Sequence, residues 1–84
     1  MRPEQQLTKG EIEEENRKVK TLRFLVDFSL AFIAQTEMPL EQARSVVQGV
    51  RSQALRLFPG KEETFDLIYL PRFRRLLNEK YNLH

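Results

Sequence analysis

Residues 39–60 read PLEQARSVVQGVRSQALRLFPG, and this stretch decides the class of fold. Leu40, Ala43, Val47, Val50, Ala54 and Leu57 recur at alternating spacings of three and four, which places them in one stripe along an α-helix. Pro39 suits the first turn of that helix, where its missing N–H has no intrahelical partner to lose, and Glu41 complements the positive end of the helix dipole. Pro59 and Gly60 stop the helix after Phe58. The spacing therefore predicts a helix over 39–58, with Arg44, Gln48 and Arg51 on its solvated face. A single apolar stripe must be buried against something, so the flanking sequence has to supply the cover.

Upstream, Thr8 followed three residues later by Glu11 is a capping box, in which each side chain accepts from the other residue's backbone N–H. Leu7 and Ile12 stand at the two positions of a hydrophobic staple, and residues 1–6 before them are expected to fray. Gly10 weakens this start by up to about 1 kcal/mol relative to Ala. No Pro interrupts the pattern before Pro39, so a first helix over 9–35 is predicted, roughly 40 Å long at 1.5 Å per residue. Glu13 with Arg17 and Glu14 with Lys18 stand at the i, i+4 spacing that supports its first half. The second half is apolar nearly all round. Phe24, Phe28 and Phe32 form one i, i+4, i+8 ridge, while Leu22, Val26, Leu30 and Ile33 occupy the neighbouring face.

Ile12, Val19, Val26 and Ile33 also recur at strict sevens, and all are β-branched, the type favoured at a positions of two-stranded coiled coils. The matching d positions, Glu15, Leu22 and Ser29, include one apolar residue. That pattern supports a partial helix-to-helix seam, either within the chain or between two copies.

Downstream of Gly60, Glu62 and Glu63 suit a first helical turn, and Phe65, Ile68 and Tyr69 precede Pro71. Phe73, Leu76, Leu77 and Tyr81 carry the apolar spacing on past it. Proline disfavours the helical conformation of Leu70, so helices over 61–70 and 71–81 are predicted, as a kinked helix or as two short ones. With no alternating strand pattern and no repeat, the fold class is all-α: a small antiparallel bundle of three to four helices with one long first helix, in a single domain over 1–84.

The remaining features bound the chemistry. The chain has 84 residues, a net charge of +2 from 14 basic and 12 acidic side chains, one His and no Cys. Without Cys there is no disulfide, thiolate metal site or thiol nucleophile, and His84 has no second His or Cys with which to bind a metal. Glu11 with Glu14, and Glu63 with Asp66, match the ExxE and ExxD spacings by which all-α nucleotide pyrophosphohydrolases hold magnesium. The gap between the pairs is too long for that pattern, and the likeness ends at those four residues. No catalytic residue, metal or cofactor is expected, and the protein is read as a non-enzyme. The most apolar run, 22–34, contains Arg23, Asp27 and Ser29 and falls short of the about 20 apolar residues that span a membrane. No secretory signal precedes it, so a cytoplasmic location is expected.

Two surfaces then compete for a binding role. A chain of this size buries only about 60 to 65% of its unfolded surface, and two helices of roughly 30 Å cannot cover a first helix of roughly 40 Å. A homodimer closed through Phe24, Phe28 and Phe32, with Val19 and Val26, solves both problems; the expected partner is a second copy or another helical protein. The alternative is nucleic acid, bound as an anion by Arg72, Arg74, Arg75 and Lys80 between Tyr69, Phe73 and Tyr81. A solvated face that complements its own helix dipole is the simpler account of that cluster.

Overall fold

The computed structural model describes residues 8–83; the expectations for residues 1–6, for the Leu7 half of the staple and for His84 lie outside them. Among the described residues the chain is all-α, with four helices and no strand: α1 (Lys9–Gln35), α2 (Leu40–Leu57), α3 (Glu62–Ile68) and α4 (Leu70–Tyr81). None of these helices is long and apolar enough to cross a membrane.

The capping box sets the start of α1: the Glu11 N–H donates to Thr8 Oγ1 at 3.1 Å, and the Thr8 N–H to Glu11 Oε1 at 3.4 Å. Along its exposed flank the ion pairs form one residue closer than the sequence spacing suggests, Glu14 with Arg17 and Glu15 with Lys18, both at i, i+3. Thr36, with extended dihedrals, ends the helix. Pro39 stands one residue outside α2 rather than in its first turn. Its ψ of 154° is extended, and its carbonyl accepts from the N–H groups of Gln42 and Ala43, so it caps the helix that it opens. At the other end Gly60 adopts a φ of 80°, the left-handed conformation that glycine enters without steric cost.

The short connection over 36–39 turns α2 back antiparallel to α1. Helix α4 returns in the direction of α1, because Arg72 meets Asp27 near the middle of α1 while Lys80 meets Ile33 and Thr36 at its end. The bundle proper is therefore α1, α2 and α4, and α3 closes its lower end. Its core is the predicted one: Leu22, Val26 and Ile33 from α1, the stripe Ala43, Val47, Val50 and Ala54 from α2, Phe65 from α3, and Phe73 and Leu77 from α4.

Three expectations change. Val26 is 0% exposed, inside the chain's own core, and has no surface left for a second copy; of the sevens of α1, Val26 and Ile33 join buried Leu22 and Ser29 in the intramolecular seam, while Ile12 is 46% exposed. Arg51 leaves the solvated face of α2 to bind Asp66 of α3. Helix α3 ends at Ile68 rather than at residue 70, and Tyr69 serves as the last cap of α3 and the first cap of α4. Pro71 lies in the first turn of α4, so the break is a corner between two helices.

Candidate interaction surface

Packing α1 through Leu22, Val26, Ser29 and Ile33 turns its opposite face outward. Phe24, Phe28 and Phe32 lie on that face, 70, 57 and 39% exposed. The rings stack along the helix, Phe24 on Phe28 with centroids 5.8 Å apart and Phe28 on Phe32 at 6.3 Å, with interplanar angles of 22° and 11°. Single exposed apolar residues are ordinary on soluble proteins, but here three aromatic rings make one continuous apolar row. Exposed Arg17 and Lys20 precede the row, and exposed Gln35 and Glu37 follow it. Asp27 flanks it on the α4 side and accepts from Arg72 at 3.2 Å. Val19 is half-buried, seven residues before Val26 on the same face of α1.

The basic cluster is divided by the fold. Lys80 turns inward and donates to the carbonyl oxygens of Ile33 and Thr36, which is a correction to its reading as an anion ligand. Helix α1 carries no basic residue in its last turn, so its terminal carbonyls need a donor from elsewhere. That lack, with a Lys at the end of another helix, was the signal available in the sequence. Beside it the Tyr81 hydroxyl donates to the Met38 carbonyl at 2.8 Å, so the end of α4 clasps the α1–α2 connection. Arg72 is held by Asp27, while Arg74 and Arg75 remain exposed.

The acidic pairs do not converge. Glu11 belongs to the capping box, and Asp66 accepts two bonds from Arg51, at 2.8 Å from Nε and 3.0 Å from Nη2. These bonds hold the Asp66 carboxyl below the usual carboxylate range and raise the Arg51 guanidinium further. Among the described residues no three His, Asp or Glu side chains come together as a metal site.

Sequence reasoning missed a second apolar feature. A cleft of about 330 Å³ opens where α1, α2 and α3 meet, walled by Leu22, Ala54, Phe58, Phe65, Ile68 and Tyr69, with exposed Glu15 and Lys61 also in its lining. Beside it Leu67 and Ile68 are 70 and 56% exposed. Residues from three helices meet in its wall, and the sequence spacing alone does not bring them together. No known protein family, curated protein or solved structure matches the chain.

Proposed function

We propose that this protein works by binding rather than by catalysis, in the cytoplasm, as a homodimer joined through Phe24, Phe28 and Phe32. The single observation behind this reading is the stacked, solvent-facing aromatic row on α1. Full burial of one Phe side chain contributes about 1.5–3 kcal/mol, and a two-fold axis through the row covers six rings at once. Against the nucleic-acid alternative, Lys80 and Arg72 already have partners inside the chain.

The test is thermal unfolding at several protein concentrations. A native dimer is stabilised by mass action, so Tm rises as the protein is concentrated from about 1 to 100 μM, and that dependence disappears in Phe28→Glu. A Tm independent of concentration in the wild type contradicts the proposal.

A further inference from the structure

Granted the dimer proposed above, on which this rests, the charges at the two ends of the aromatic row fix how the copies are arranged. We infer that the two α1 helices pair antiparallel, with the two-fold axis beside Phe28, so that Phe24 of each copy meets Phe32 of the other. Thr21, Phe24, Phe28, Ala31 and Gln35 recur at spacings of three and four and are all exposed, so they make one outward row along α1.

Its two ends differ in sign. Arg17 and Lys20 lie before the row, and Glu37 lies just past it, in the α1–α2 connection. Asp27 is displaced toward α4 and held by Arg72. A parallel pair sets Arg17 and Lys20 against their own copies and Glu37 against its own, and facing like charges oppose association. An antiparallel pair centred on Phe28 sets Lys20 beside the second copy's connection at Glu37, twice by symmetry. It also aligns the two helix dipoles head to tail. The paired rows then run from Thr21, opposite Gln35, to Gln35, opposite Thr21, roughly 22 Å of helix. Glu13 and Glu14 fall outside this overlap, beyond the end of the second α1.

The chain has no Cys, so a cysteine placed at one position reports without ambiguity. Thr21→Cys and Gln35→Cys change two exposed residues at the ends of the row and leave the Phe contacts intact. When the two variants are mixed and oxidised, intact-mass analysis should find the mixed 21–35 disulfide in about tenfold excess over either homodisulfide, since bridging needs Cα atoms about 5.5–6 Å apart. Abundant 21–21 and 35–35 disulfides overturn the antiparallel arrangement in favour of a parallel one. Absence of any disulfide in a chain that scatters light as a dimer overturns it too, and leaves the dimer standing. Absence of any disulfide in a chain that scatters as a monomer removes the dimer itself. In a second measurement, Glu37→Lys should raise the dimer Kd about fivefold, and Lys20→Glu in the same chain should restore it. An unchanged Kd for Glu37→Lys contradicts the charge pairing.

Discussion

Arg51 and Asp66 join α2 to α3 through two parallel hydrogen bonds, the geometry that gives an Arg–carboxylate pair both strength and direction. Asp66 has a lower pKa in the folded chain than in the unfolded one, so the pair's contribution is fully present above the unfolded carboxylate value of about 3.9. It is lost as pH falls through the lower folded value. Asp66→Asn should therefore melt below the wild type at pH 7, and the gap should close as the pH falls through the lowered carboxyl value of the folded chain. A gap that stays constant across that range contradicts the ion pair. Lys80 does comparable work at the other end of the bundle, where its ammonium is the donor for the carbonyls of Ile33 and Thr36. Lys80→Met keeps the apolar stem and removes the donor. Urea unfolding should show a loss of about 1–2 kcal/mol, and an unchanged midpoint contradicts the cap. The sequence offered a hint for Lys80, since α1 has no basic residue in its last turn, and none for Arg51, whose partner Asp66 only the completed bundle brings near.

At the scale of the elements, the chain's local punctuation was the legible part. Thr8 with Glu11, Pro39, and Pro59 with Gly60 act within a turn of themselves, and they set the bounds of α1 and α2 to within a residue. The corner at Tyr69 was half legible: Pro71 announced a break, but where α3 stops depends on burying Phe65 below the bundle and Phe73 inside it. Pro71 has a helical φ by construction, in a first turn where its lost N–H costs nothing. Pro71→Ala should thus lower stability by about 0.4–1 kcal/mol, because the unfolded chain gains conformational freedom that Pro71 withholds. A higher Tm contradicts the corner and supports a strained kink. The sevens of α1 were legible as a seam yet silent about its location, since the same spacing serves a helix of the same chain or of another. Burial of Val26 and Ile33 assigns it to the chain's own core and leaves the Phe row as the uncovered face.

As a whole molecule the chain is longer than its mass requires. Its radius of gyration is 15.7 Å, against about 12 Å for a compact domain of 84 residues, and its extents are 52 × 21 × 16 Å. Helix α1, at 27 residues, outruns the 18 of α2 and the 12 of α4. Its aromatic face looks away from both. An uncovered row of this kind on a small bundle invites a second copy, and the proposed function rests on self-association through it. Light scattering at tens of micromolar measures that association. The wild type should give about twice the 10.0 kDa chain mass. Phe28→Glu should fall to the single-chain mass with its helical content unchanged, because Phe28 takes no part in the core. A wild-type chain that remains a folded, monodisperse monomer across that range contradicts it.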